Sequence, residues 1–528
     1  MIIPPFYPII YVRGYAGSQG EVEDTVATPY MGFNLGSTKT RQLHTGKVYP
    51  HVFESPLIRL MKDHGYHDAY RDGQIKPEGP IQPNSIWIFR YYDITSKEMG
   101  LGERKEIEFH AKRLGEFIAH VRNAVLKPGE DKSKFRVYLV AHSMGGLVCR
   151  CYLQNPKIPA LPGSDKIKDK DIAKQNMMRK GVDKLFTYAT PHGGIEFRKG
   201  FGWVEGLRDF LDINNSGNFG EKKMKKFLGL KSGEKNLNTL NGKYPCERVF
   251  SLIGTDSRDY GAAGGMSRRS VGSLSDGLVQ IENASVLGSP RAFIHRSHSG
   301  HYGIVNSEAG YQNLRRFLFG KIRAHVEMDI DKINLPPDLN KKIKSGEVKD
   351  KDINASFYVE TVFSMRGVPI ELSRRTIDEE SAIRRPYNIF KKKTTKLFTA
   401  FLLHSAQKNK SKPLLGYSLR IQIRVPEYVV KGWVSSDDFE GGMLFSDKLN
   451  LEIEYNKSHM KNKEDFKNVL EAKSISFGWD REGPNQAKSP LGIIKTTEGL
   501  VAEIPFGQDT VQGIMGRIRI TLSPWNKL

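Results

Sequence analysis

The residue in this sequence best able to act as a nucleophile is a serine on a turn between a strand and a helix. Residues 137–140 (Val-Tyr-Leu-Val) form a short apolar run, Ala141-His142-Ser143-Met144-Gly145 follows, and an apolar helical stretch comes after it. Small residues two before and two after the serine let the backbone reverse without a clash and leave the hydroxyl exposed. N–H groups at the start of the helix can stabilise developing negative charge there. A serine hydroxyl needs a base to take its proton and an acid to hold that base. Histidines crowd residues 294–305, Ile-His-Arg-Ser-His-Ser-Gly-His-Tyr-Gly-Ile-Val. His295 is expected to stay on a strand, whereas His298 and His301 each head a His-x-Gly that presents an imidazole on a loop. Asp276 and Asp256 are the loop acids open for the third role. The acidic residues lack the alternating clustering of a calcium loop and no His-Glu-x-x-His is present, so neither a metal nor a cofactor is expected.

The elements that must position these groups read as α/β. Residues 9–12, 85–92 and 135–140 are β-branched or aromatic runs, and residues 105–127 place Leu114, Phe117, Ile118, Val121 and Val125 at helical spacing. Strand, helix, strand predicts a mostly parallel sheet with helices on both faces. Further strands are expected at 185–188, 249–253 and 292–295, with a closing helix at 312–320. Residues 195–246, rich in Gly, Asn and Lys, break the rhythm and read as an inserted cap. Residues 1–328 are thus expected to form one domain and 329–352, with Leu335-Pro336-Pro337-Asp338, a linker. Beyond 353 the apolar period becomes two, as in 418–425, 449–455 and 517–522, which predicts a β-sandwich-like domain.

The segment Ala141 to Gly146, with its preceding strand, closely resembles the serine elbow of α/β-hydrolase lipases and esterases, Ala141 standing where the first glycine usually is, a variant familiar among bacterial lipases. Three further segments are similar in order. Residues 8–18 resemble the early strand and oxyanion loop, Ala189-Thr190-Pro191-His192-Gly193-Gly194 resembles the lipase Thr-Pro-His-x-Gly segment, and Ser275-Asp276-Gly277-Leu278-Val279 resembles the acid loop. The resemblance covers roughly residues 6–320. It implies a carboxylic ester hydrolase with Ser143 as nucleophile, Asp276 as acid and a histidine base. The family's His-x-Gly is followed by apolar residues and the last helix, so His301 is preferred to His298. Main-chain N–H groups of Met144 and Tyr15 would form the oxyanion hole. Lipases commonly carry His-Gly where this chain has Arg13-Gly14, so the loop must be anchored differently. His142 would pack or line the pocket, and His192 would be structural.

At 528 residues the chain exceeds a single domain, and its 38% apolar and 27% charged residues are those of a globular protein. The 81 Lys and Arg against 59 acidic residues give a formal charge of +22. Such a surface favours anionic lipid, nucleic acid or acidic polymers without choosing among them. No RNP-like, zinc-finger or helix-turn-helix signature is present, so nucleic acid is not the expected partner. Trp203, Phe210 and Phe227 of the cap are candidate acyl-pocket residues. Lys222, Lys223, Lys225 and Lys226 beside them suit an anionic lipid surface, which makes a phospholipid a candidate substrate. The alternatives are a non-catalytic hydrolase fold that binds anionic membrane surfaces, and a serine hydrolase acting on amides or thioesters. Cys149 and Cys151 read as buried thiols. No signal peptide is recognisable and no apolar stretch approaches a membrane span, so a cytoplasmic setting is the default expectation, with export by a signal-independent route as the exception.

Overall fold

The computed structural model describes residues 6–14, 19–42, 44–69, 81–103, 105–159, 172–195, 218–257, 274–300, 302–366, 370–403, 414–431, 436–454, 474–482, 489–490, 493–497 and 499–526. The chain divides into two compact units, one of 4–291 with 296–318 and one of 319–528 with 292–295.

The first unit is built on a parallel sheet of the α/β-hydrolase type. Its strands are β1 (Ile9–Val12), β4 (His67–Asp68), β5 (Ser85–Ile88), β6 (Val137–His142), β7 (Val182–Tyr188) and β8 (Val249–Gly254). They lie in the order β4-β5-β1-β6-β7-β8, while β2 (Ser37–Gln42) and β3 (Val48–Phe53) form a separate hairpin. Continuous apolar runs rather than alternating ones fill the sheet because both faces are covered, and all four residues of β1 have no exposure. β6 lies at the centre between β1 and β7, so the residue that follows it emerges in the middle of the sheet.

Helices α1 (Gln19–Ala27), α2 (Pro56–His64), α3 (Ile107–Val125), α4 (Met144–Gln154), α5 (Ile172–Lys180), α6 (Asn218–Leu228) and α7 (Glu308–Phe319) belong to the same unit or close it. α4 is buried along its whole length. It can be, because α3 presents Gly115 to it: a Cβ there would come within 2.8 Å of the Tyr152 ring. The expected closing helix is α7, whose Phe317 packs on Phe186 and Phe250 at 5.9 and 5.3 Å. Of the expected cap, residues 196–217 lie outside the described residues and the rest contains α6. No helix among the described residues is long and apolar enough to cross a membrane.

The second unit holds two antiparallel sheets. One runs Thr395–Leu402, Ile322–Ile333, Ile514–Pro524, Gly499–Gly507, Ile493–Thr496, and the other is organised around Ile353–Met365, Leu414–Lys431 and Ser436–Glu454. They share one core, in which Phe363 of the second sheet meets Phe398 of the first at 4.7 Å and Phe445 meets Phe506 at 4.9 Å. This is a β-sandwich. The expected linker at 329–352 is replaced by ordered structure belonging to this unit. The strand Ile322–Ile333 runs through its start, Pro336 and Pro337 open a helix over Pro337–Lys344, and Leu335, Leu339 and Val348 are buried in the sandwich core. Proline pre-sets the first turn of a helix as readily as it marks a linker, which is why the pair misleads.

Candidate active site

Ser143 stands at the end of β6 and caps α4 with φ 52° and ψ −127°, a positive-φ conformation that a non-glycine residue holds only where its surroundings impose it. Three main-chain contacts do so here. Its N–H donates to the Tyr188 carbonyl at 2.8 Å, and its own carbonyl accepts from the Thr190 hydroxyl at 2.9 Å and the Gly146 N–H at 3.0 Å. The two glycines after Met144 are steric requirements. A Cβ on Gly145 would lie 2.3 Å from the Val12 carbonyl oxygen, and one on Gly146 2.1 Å from Thr190 Oγ1. Gly14 approaches from the early loop so closely that a Cβ there would lie 2.7 Å from Ser143 Cβ.

Asp276 sits in a turn that its own carboxylate closes. Oδ1 accepts from the N–H groups of Leu278 at 3.0 Å and Val279 at 2.7 Å, which leaves Oδ2 to face His298. Oδ2 is 3.0 Å from His298 Nδ1, and His298 Nε2 is 2.8 Å from Ser143 Oγ. The backbone repeats the link, since the His298 N–H donates to the Asp276 carbonyl at 2.9 Å. A carboxylate can only accept, so Nδ1 carries the imidazole proton and Nε2 offers its lone pair to the serine hydroxyl. An imidazole held this way can take the hydroxyl proton as oxygen attacks a carbonyl. Asp256, the rival acid, is buried with its N–H on the Arg296 carbonyl; the carboxylate that reaches His298 belongs to Asp276.

Of the two candidate bases, the structure describes His298, the alternative to the preferred His301. The imidazole on Ser143 is that of His298, and His301 lies outside the described residues. Two His-x-Gly copies three residues apart offer the same local chemistry, and Ile304, which follows the second copy, is tied to the loop of the first: its N–H donates to the Ser297 carbonyl at 2.9 Å.

His142, read from the sequence as packing or lining the pocket, is also tied to the loop of His298. Its partly buried ring lies 5.1 Å from that of His298, and its Nε2 lies 2.9 Å from the His298 carbonyl oxygen. Burial, with the neighbouring His298 adding to it, pushes its pKa down to about 3. The ring is therefore neutral, and Nε2–H donates to the carbonyl. His192 is structural. Its Nε2 is 3.1 Å from Thr187 Oγ1, which itself donates to the Phe250 carbonyl, and burial holds its pKa well below the ordinary value. Sequence reasoning missed Arg150, fully buried on α4, which clamps the same segment by donating to the carbonyls of His192, Leu237 and Thr239 at 2.8 to 3.0 Å. An arginine within an otherwise apolar helical run was the available signal.

Met144 opens α4, so its N–H is among the first-turn groups without a partner inside the helix. Tyr15, Trp203 and Phe210 lie outside the described residues. Phe227 is buried, and its carbonyl accepts from Asn155 Nδ2 at 2.9 Å, at the end of α4 opposite Ser143. Lys225 is paired with Glu221 at 2.6 Å, and Lys226 lies 4.0 Å from Glu106 and Glu108, so part of the lysine run is neutralised within the unit.

No protein-family model matches the chain, and no curated protein does. Solved structures that resemble it include the mature lipase BlEst2 of Bacillus licheniformis (15% identity over 60% of this chain and 92% of that one, TM-score 0.29). Phospholipase PlaB of Legionella pneumophila is 14% identical over 83% and 89%, with a TM-score of 0.31. EstA of Clostridium botulinum is 14% identical over 60% and 88%, with a TM-score of 0.29.

Proposed function

We propose that the protein is a serine carboxylester hydrolase. The observation that carries this reading is that one imidazole, His298, lies within hydrogen-bonding distance of both the Ser143 hydroxyl and the Asp276 carboxylate. Ser143 Oγ attacks the ester carbonyl as His298 Nε2 takes its proton, and Asp276 stabilises the imidazolium that results. The Met144 N–H, with one from the loop around Tyr15, receives the oxyanion. His298 then protonates the leaving alcohol, water repeats the sequence on the acyl-enzyme, and the carboxylic acid is released. No metal or cofactor takes part in this route. The substrate is a lipid or small ester, a phospholipid among the candidates, and the excess of 81 basic over 59 acidic residues favours approach to anionic surfaces.

A chain-length series of p-nitrophenyl esters, with phospholipid vesicles alongside, compares wild type with Ser143→Ala. Turnover by the wild type that falls to background in the variant is expected. Equal turnover by both proteins overturns the reading.

A further inference from the structure

Beside the serine elbow, within the first unit, lies a cavity of about 220 Å³ lined among others by Arg13, Phe33, Leu35, His142, Val305 and Asn306. It is mostly apolar with a few polar groups, which is the usual make-up of a ligand pocket, and at the small end of the range, so it suits part of a substrate. Among the described residues Arg13 is its only ionised lining group, since His142 is neutral. The guanidinium lies against Gly32, where a Cβ would come within 2.5 Å of Nη1, and among the described residues it makes one hydrogen bond, from Nη1 to the Met31 carbonyl at 2.5 Å. Its Nε is buried without a partner, and no carboxylate among the described residues forms an ion pair with it. Burial pushes its pKa below the ordinary arginine value, against the opposing pull of the Glu21 carboxylate, so the charge is partly stripped of water and only partly compensated. Asn306 adds an amide whose Nδ2 has only a 3.4 Å contact with the Gly300 carbonyl. Arg13 directly precedes Gly14, the residue in contact with Ser143, so this cation stands one residue from the loop that faces the nucleophile.

We propose that this cavity binds an anionic group, a carboxylate or phosphate, of the ester substrate, with Arg13 as its counter-charge. The proposal rests on the serine-hydrolase reading and narrows it to esters carrying a negative charge near the scissile bond. A planar guanidinium presents its N–H donors in the fork geometry that carboxylate and phosphate oxygens accept from, and Nη1 is the donor already committed to Met31.

Two matched substrate pairs test it and locate the anion. p-Nitrophenyl hexanoate against the p-nitrophenyl monoester of adipic acid places the charge on the acyl side. A monoacylglycerol against the lysophosphatidic acid of the same acyl chain places it on the alcohol side. Arg13→Gln keeps a donor for the Met31 carbonyl and removes the charge, and Arg13→Lys keeps the charge and loses the fork. In at least one pair, the ratio of kcat/KM for the anionic ester to that for its neutral partner should fall at least tenfold in Arg13→Gln and recover in part in Arg13→Lys. Losses that are equal for the neutral and charged members of both pairs, or no losses at all, overturn the proposal and leave Arg13 a pin for the 31–32 turn. Calorimetric titration of adipate and glycerol 3-phosphate into the Ser143→Ala protein, with and without Arg13→Gln, separates the two claims. Binding of either ligand that weakens at least tenfold on losing Arg13 supports the anion site even if ester turnover proves independent of Ser143. Failure of both ligands to bind the Arg13-containing protein, alongside Ser143-dependent turnover indifferent to substrate charge, sinks the site and leaves the hydrolase.

Discussion

His142 and His298 are joined by a hydrogen bond that leaves both imidazoles free for separate tasks: Nε2–H of His142 donates to the main-chain carbonyl of His298, 2.9 Å away, while the His298 ring spans Ser143 and Asp276. The elbow strand thereby holds the loop that carries its own partner. In His142→Phe the ring volume is retained and the donor is lost, and kcat should fall roughly 10- to 100-fold, the scale expected of a misplacement on the order of 1 Å. KM should change little. A variant with wild-type kcat would show the bond to be incidental.

Substitution of the groups around Ser143 should separate the two loop histidines. Ser143→Ala and His298→Ala are each expected to lower kcat by roughly 10⁴-fold or more, and Asp276→Asn by somewhat less, following the behaviour of triads elsewhere. His301→Ala should remain within about tenfold of wild type, since a residue outside the proton path affects the rate only through positioning. Initial rates on a p-nitrophenyl ester decide the matter, and loss of activity confined to His301→Ala would reverse the assignment.

The buried histidines predict acid sensitivity. Burial lowers His142 to about 3 and His110 to about 4, below the 6.5 of an exposed imidazole. Between those values the unfolded chain takes up protons that the native protein refuses, so these groups favour the fold above pH 6.5 and progressively less as the pH falls towards 4. Each adds a slope approaching about 1.4 kcal/mol per pH unit in that window. Denaturant unfolding from pH 7 to 4.5 should show the decline, and it should be shallower in His110→Phe. An identical slope in that variant would remove His110 from the account.

Close approach at the elbow predicts a severe effect from one methyl group. Gly146→Ala would bring Cβ to 2.1 Å from Thr190 Oγ1 and 2.6 Å from Thr190 Cγ2. Overpacking of this kind typically destabilises by about 1–3 kcal/mol. Adding Thr190→Gly should restore part of the melting temperature and none of the activity, because the hydroxyl bonded to the Ser143 carbonyl goes with it. Wild-type melting of the single variant would contradict the packing described here.

What the sequence determined by itself was local. A buried apolar run, a small-residue turn and a helix are consecutive, so Ser143 at a strand-to-helix elbow and a parallel α/β architecture were legible without any long-range information. The period-two runs of the second unit were legible for the same reason. Tertiary structure decided what depends on residues far apart in the chain. His298 and His301 head the same short motif, and only the 2.8 Å reach from His298 to a serine 155 positions away distinguishes them. The prolines at 336 and 337 carry the same meaning in a linker or a helix start until Leu335 and Leu339 are seen in a shared core. The strand Ile322–Ile333 pairs with Thr395–Leu402 and Ile514–Pro524, which no periodicity announces, because register across such separations is set by which apolar faces bury each other. Arg13 was visible as a departure from His-Gly, but whether its charge had a partner was a matter of what folds around it.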